Sequence, residues 1–274
     1  MVQVIYDISN YIKVIKVSGE DSAKFLQGQT CNDVLKLPPN SYQLSANLNN
    51  KGRIFTNFWL YYKQNNLFYI IVSNDMAEAL VKRLKMYVLR SKVDFEIGSG
   101  NIILTDDKTN TSTDLVKIEL LNDMAIYFDF EVKISSDNLK LLDDINIWYQ
   151  YLFINKIPLI TKNLSEKLLV QQINFDEEPI NGVSYQKGCY IGQEIVARMH
   201  YLGKNKQKMY SFISNEKLSV AQVLYTDKLP DQEIGVVVVV YYTGNKYIGL
   251  SSIQSLYTDS VHSDKQYNNK LIIK

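Results

Sequence analysis

The helical period of this chain stops at about residue 207. Before that point, stretches with apolar residues every three or four positions alternate with short β-branched runs. Beyond it only strand patterns remain, at 207–213, 233–242, 246–250 and 271–273, separated by Gly, Asn and Asp. A chain divided in this way predicts mixed α+β sheets with helices on one face, followed by a small all-β module closing into a barrel. The expected units are a first α+β lobe over 1–100, a second over 101–206 and the barrel over 207–274, a length that suits about two ordinary domains.

Within the first lobe, residues 11–17 pattern as a strand, and Ser18 with Asp21 has capping-box spacing ahead of a short helix ending at Gly28. The turn Asn49-Asn-Lys-Gly52 leads into 53–63, and Gln64-Asn-Asn66 returns the chain into 67–73, which predicts a hairpin. Met76, Ala77, Leu80, Val81, Leu84, Tyr87 and Val88 recur at helical spacing, with Lys82, Arg83 and Lys85 on the opposite side. Strands follow at 93–97, 102–105, 116–120 and 125–134, and a second helix at 143–155 before Pro158.

Charge and composition narrow the function. With 30 Lys+Arg against 29 Asp+Glu the net charge is +1, which argues against a whole-molecule grip on nucleic acid. Two cysteines and two histidines cannot build a disulfide framework or a Cys/His zinc cluster, so no metal is expected to be held by the chain alone. The first residues lack the basic region of a signal peptide, and the longest apolar run, 234–242, is about half of what a spanning helix requires. A soluble, cytoplasmic, monomeric protein with no membrane partner is the expectation.

The most informative segment is Lys187-Gly-Cys-Tyr-Ile-Gly-Gln-Glu194. Lys187 and Gly188 set a cation and an unshielding residue beside the Cys189 thiol, and a nearby positive charge favours thiolate. Gly188 and Gly192 allow a tight backbone path, Tyr190 lies between them, and Gln193 and Glu194 offer an amide and a carboxylate to a heterocycle edge. A small buried cysteine in a chance glycine spacing is the alternative, and it is the reading for Cys31, which has no such neighbours. Between Lys187 and Lys208 stand five basic residues (187, Arg198, Lys204, Lys206, Lys208) and one acid. This run suits a phosphate, a polyglutamate tail, RNA or, equally, a solvated connection. Trp148, on the second helix, reads as core or as a stacking platform for a flat ligand, and Trp59 as packing.

The motif resembles the hallmark Lys-Gly-Cys-aromatic-x-Gly-Gln-Glu of the YgfZ family of folate-binding proteins, relatives of the glycine-cleavage T-protein. Ser18–Asp33, with its Leu-Gln-Gly-Gln core, Asn49–Arg53, Tyr87–Val93 and Ile157-Pro158 are similar to further segments of that family. The chain departs from it at Lys156 and at Gln171-Gln172, where the family often has Gly and a Pro-Gln/Glu pair. The resemblance implies two ferredoxin-like lobes of T-protein type and a C-terminal barrel around tetrahydrofolate or a one-carbon derivative. It places Trp148 at the folate-contacting tryptophan, Tyr11 one residue from the second aromatic contact (Ile12 holds the strict register), and Cys189 at the functional cysteine. The role it implies is help in assembling or repairing iron–sulfur clusters of client enzymes, including tRNA-thiomethylating radical enzymes, without direct RNA contact. Two other readings are a folate-dependent aminomethyltransferase, for which Asp75 or Glu78 would have to supply the carboxylate, and a non-catalytic folate-sensing adaptor.

Overall fold

The computed structural model describes residues 4–105, 115–121, 124–130, 140–142 and 144–274. The chain begins with β1 (Val4–Asp7), β2 (Ile12–Ser18) and α1 (Ser22–Gln29). Next come β3 (Ser41–Leu48), β4 (Ile54–Gln64), β5 (Leu67–Ser73), α2 (Asn74–Lys85) and β6 (Asp94–Ile97). Strands β2 to β6 form one five-stranded sheet in the order β3-β4-β5-β2-β6, antiparallel throughout.

The β4–β5 hairpin turns on Asn65 and Asn66, both at positive φ, the geometry that matches the twist of the two strands. Helix α2 buries Met76, Ala77, Leu80, Val81 and Leu84 on one stripe, with Asp75 in its first turn and Lys82, Arg83 and Lys85 in its last, as the helix dipole favours. It stops at Lys85, short of the expected Val88, because the chain turns left-handed at Leu89. The capping box predicted at Ser18 does not form: Ser18 ends β2, and Gly19 at φ +122 passes so close to the Lys92 carbonyl that a Cβ would sit 2.1 Å from it. Asp21 instead accepts a hydrogen bond from the Lys92 amide (2.8 Å), and α1 starts one residue later.

The second sheet runs β10-β1-β7-β9-β8, built from β7 (Ile102–Thr105), β8 (Val116–Glu119), β9 (Ala125–Phe128) and β10 (Lys140–Leu142). The N-terminal strand β1 thus belongs to this sheet, antiparallel to β7 and parallel to β10. Positions 131–134 of the expected strand and Asp143 of the expected helix lie outside the described residues. Helix α3 (Ile145–Ile154) follows, with Asp144 capping the Asn146 amide at 2.9 Å. Then comes α4 (Gln193–Leu202), which no sequence pattern announced because glycines frame it and only Val196 is fully buried.

The C-terminal strands β11 (Gln207–Ser214), β12 (Val223–Tyr225), β13 (Glu233–Tyr242), β14 (Tyr247–Gln254), β15 (Val261–His262) and β16 (Lys270–Ile273) close a six-stranded barrel. Closure leaves no unpaired edge, the barrel solution to the edge problem. Three apolar cores result. One lies between the first sheet and α1 and α2, and one fills the barrel. The largest joins both sheets, α3, the 157–183 segment and the barrel wall. Among the described residues no helix is long and apolar enough to cross a membrane, and no group of three or more His, Cys, Asp or Glu is placed to hold a metal.

Candidate functional site

The motif segment follows Val183 of the large core, touches that core again at Tyr190 and returns to regular structure at Gln193, the first residue of α4. Two interlocks hold it. Lys187 turns inward, and its Nζ donates to the carbonyls of Gln27 (2.6 Å), Thr30 (2.7 Å) and Asn32 (2.8 Å). These carbonyls lie at the C-terminal end of α1 and just beyond it, where helical acceptors lack intrahelical partners and where the dipole favours a cation. The Tyr190 ring lies 5.1 Å from the same ammonium. Burial pushes Lys187 down to about 8, against the charges of Cys31 and Asp33, which raise it.

The second interlock joins Gly192, at φ +85, to the β3–β4 turn. A Cβ on Gly192 would lie 2.5 Å from the Asn49 carbonyl, and a Cβ on Gly52, at φ +71, would lie 2.9 Å from that of Ile195. Both glycines are required by conformation and by closeness of approach. Gln193 completes the bend, its Oε1 accepting from the Tyr190 amide at 3.3 Å.

Between the two anchors, Gly188 and Cys189 are exposed. The ammonium of Lys187 has all three hydrogens on backbone carbonyls, so it positions the loop and has none left for the Cys189 thiolate. Glu194 is exposed in the first turn of α4. The other cysteine has the opposite setting. Cys31 is fully buried, its Sγ donates to the Gly182 carbonyl (3.2 Å) and receives the Ala46 amide (3.3 Å), and burial pushes its thiol up to about 11. Iodoacetamide at neutral pH should therefore alkylate one thiol per native chain and two after denaturation. Mass spectrometry that found Cys31 labelled in the native protein would contradict this arrangement.

Trp148 is fully buried on α3, stacked on Tyr151 (centroids 5.6 Å, 16° between planes) with Trp59 leaning against it at 5.3 Å. Trp59, read from the sequence as packing, is thus the partner of the tryptophan that the sequence singled out. The indole nitrogens of both are buried without a hydrogen-bond partner. Tyr11 packs half-buried at the margin of the same core, next to fully buried Ile12.

Cavities flank this aromatic group. One of about 280 Å³ touches Tyr151 and Gln150. Another, of about 650 Å³, lies between β3–β4 and β8, lined by Asn40, Tyr42, Tyr61, Lys63, Lys117 and Glu119. Trp148 itself lines neither.

The basic run is sorted by the fold. Lys187 is buried, and Lys208 pairs with Glu177 at 2.9 Å. Arg198, Lys204 and Lys206 remain exposed. Sequence reasoning missed a polar cluster that ties α4 down. The Tyr185 ring stacks on His200 at 3.7 Å, its hydroxyl donates to Asp176 (2.5 Å) and accepts from Gln171 Nε2 (3.2 Å), and His200 Nδ1 lies 3.8 Å from Asp176. These four residues are spread from 171 to 200 with no motif spacing, so no sequence signal marks them.

Two α+β sheets, a barrel and this anchored loop define a class. Residues 2–103 match the GCVT N-terminal domain. The chain as a whole resembles the crystal structure of glycine cleavage system aminomethyltransferase T from Bartonella henselae, with a TM-score of 0.72 at 11% identity, covering 98% of this chain and 85% of that one. The fold is therefore of the aminomethyltransferase T type.

Relatives in sequence are more specific. The tRNA-modifying protein YgfZ of Aliivibrio fischeri is 30% identical over 217 residues, 72% of this chain and 67% of its own. That of Colwellia psychrerythraea is 28% identical over 246 residues, 81% and 74% respectively. An uncharacterized protein of Haemophilus influenzae is 29% identical over 202 residues, 73% and 70%. The chain belongs to the YgfZ family.

Proposed function

We propose that this protein binds tetrahydrofolate or a one-carbon derivative and assists the assembly or repair of iron–sulfur clusters in client enzymes, among them enzymes that thiomethylate tRNA. The observation that carries the reading is the motif loop: one exposed thiol, Cys189, on a segment anchored at both ends, in a family whose relatives are named for tRNA modification. The second thiol is sealed in the core, so the chain offers one sulfur ligand at its surface and any cluster belongs to a client.

The residues present fit a folate. A cavity of about 650 Å³ is of the size that holds drug-sized ligands, and Tyr42 and Tyr61 line it beside Lys63 and Lys117. The two tyrosines suit the flat rings of the ligand and Lys63 a glutamate carboxylate, Lys117 being paired with Glu119 at 2.9 Å. Bound tetrahydrofolate supplies a nitrogen that carries one-carbon units.

Aminomethyl transfer fits less well. Asp75 accepts from Ser73 Oγ on one oxygen (2.7 Å) and from the Lys162 amide on the other (2.9 Å), a capping and tethering role, and Glu78 is exposed on α2.

Anaerobic calorimetric titration with tetrahydrofolate tests the folate part. Saturable binding at one site is expected, weakened about tenfold by Lys63→Glu, which reverses a charge lining the cavity. Absence of saturable binding would remove folate from the reading.

A further inference from the structure

Of the five cations in the 187–208 run, three stay exposed, and they surround apolar side chains. Arg198, Tyr201 and Leu202 fall at i, i+3 and i+4 on α4, so they share its outward stripe with Glu194 one turn earlier. Tyr201 is 66% exposed and Leu202 82%. The Tyr201 ring meets the His200 imidazole edge to face at 4.8 Å, which holds it in place as an outward anchor.

The chain then passes through Lys204 and Lys206, and the Lys206 carbonyl accepts from the Ser255 amide at 2.8 Å. That bond brings the short turn Ser255–Tyr257 alongside, with Leu256 76% exposed. Leu256 thus lies beside Lys206, as Tyr201 and Leu202 lie between Arg198 and Lys204 along the chain, and none of the three cations has an ion-pair partner among the described residues. Large apolar side chains in the open with unpaired cations beside them, and a single acid, Glu194, at the far end of the stripe, mark an interaction surface.

We propose that this face of α4 and the 255–257 turn docks an acidic, leucine-bearing segment of a protein partner. The charge complementarity sets the sign of the partner. Exposed Leu202 and Leu256 are aliphatic anchors that a protein partner can cover with its own apolar side chains, whereas single-stranded nucleic acid is held by stacking on aromatic faces. The inference deepens the helper role proposed above, because the stripe begins at the N-terminal turn of α4, four residues past Cys189. A client seated there lies next to the exposed thiol.

The test uses the full chain and a fluorescein-labelled helical peptide with a leucine stripe flanked by glutamates, followed by anisotropy. Saturable binding that weakens with added salt is expected, falling about tenfold or more in the triple variant Leu202→Ser/Lys204→Glu/Lys206→Glu. These side chains are exposed, so the variant should melt with the wild type. A control peptide with lysines in place of glutamates should not bind. Equal binding by the wild type and the variant, or none by either, overturns the proposal. So does binding of unfractionated tRNA, lost in the variant, without binding of the acidic peptide, which would make the face an RNA surface. Tetrahydrofolate titration of the same samples separates the two readings: peptide binding without folate binding leaves the docking face standing and removes the ligand.

Discussion

Replacing Lys187 by Met should lower stability by about 3 kcal/mol at neutral pH, an apparent Tm drop of about 6–10 °C. The substitution preserves most of the buried stem and removes only the ammonium, so the loss comes from three carbonyls. Those of Gln27, Thr30 and Asn32 now share one donor group at 2.6–2.8 Å and would be left without it. An unpaired buried acceptor costs about 1–3 kcal/mol, and relief from burying a charge offsets part of the sum. Lys187→Arg should restore little, because a planar guanidinium fork cannot converge on three acceptors that a compact ammonium reaches from one point.

The pH dependence has a definite sign. Burial holds the folded-state value of Lys187 near 8, below the ordinary 10.5 of the unfolded chain. Between those values the unfolded state binds more protons, so titration of Lys187 adds stability that is full above 10.5 and lost as pH falls through 8, on top of what its three hydrogen bonds contribute at neutral pH. The gap between wild type and Lys187→Met should therefore widen as pH rises from 8, measured by urea unfolding. A gap that narrows would mean instead that the three carbonyls favour the ammonium by more than burial penalises it, and would overturn the lowered value.

Cys189→Ala should abolish function while leaving the fold unchanged. Cys189 is exposed between the Lys187 and Gly192 anchors, and the loop is held by neighbouring residues, so removing the thiol creates no cavity. The expected result in a strain deleted for the protein is full expression, a Tm within about 1 °C of wild type and no recovery of thiomethylated tRNA. If the alanine variant restored thiomethylation as fully as wild type, the proposed role of Cys189 would be wrong. Cys31→Ala serves as the contrast. It removes a buried sulfur bonded to Gly182 and Ala46, so it should cost stability without removing the surface thiol.

Elements whose buried and exposed faces alternate regularly were legible in the sequence. The β4–β5 hairpin with its Asn-Asn turn, the α2 stripe and the long β13 run all show such patterns; the structure places the strands within one residue of the expected bounds and ends α2 three residues early. Strand β3 was not legible because, although Leu44-Ser-Ala-Asn-Leu48 alternates in polarity, it holds no β-branched residue, and its polar Ser45 and Asn47 are buried as fully as its apolar ones. Strand β1 was hidden for another reason. Its four residues acquire meaning only on pairing with β7 and β10, about a hundred residues away. Helix α4 has a single fully buried residue and begins at a left-handed glycine, so it carries no periodic stripe.

The candidate site divides in the same way. The motif from Lys187 to Glu194 stands out as a local string, and two of its side chains act locally: Gly192 through its own φ, and Gln193 on an amide three residues back. The role of Lys187 is not local. Adjacency to Cys189 suggested activation of the thiol, whereas the carbonyls it holds belong to a helix end roughly 160 positions earlier in the chain. The five cations of the basic run look alike in the sequence. Folding buries one, pairs one and leaves three exposed.

By itself, then, the sequence determined the α+β-then-barrel order, the family and the cysteine to watch, because periodicity and motif spacing are properties of neighbouring residues. Which groups a side chain meets, and so whether a lysine activates, anchors or docks, was decided only when the tertiary structure brought distant backbone and charge together. Burial and hydrogen-bond partners are set by contacts between segments far apart in the chain.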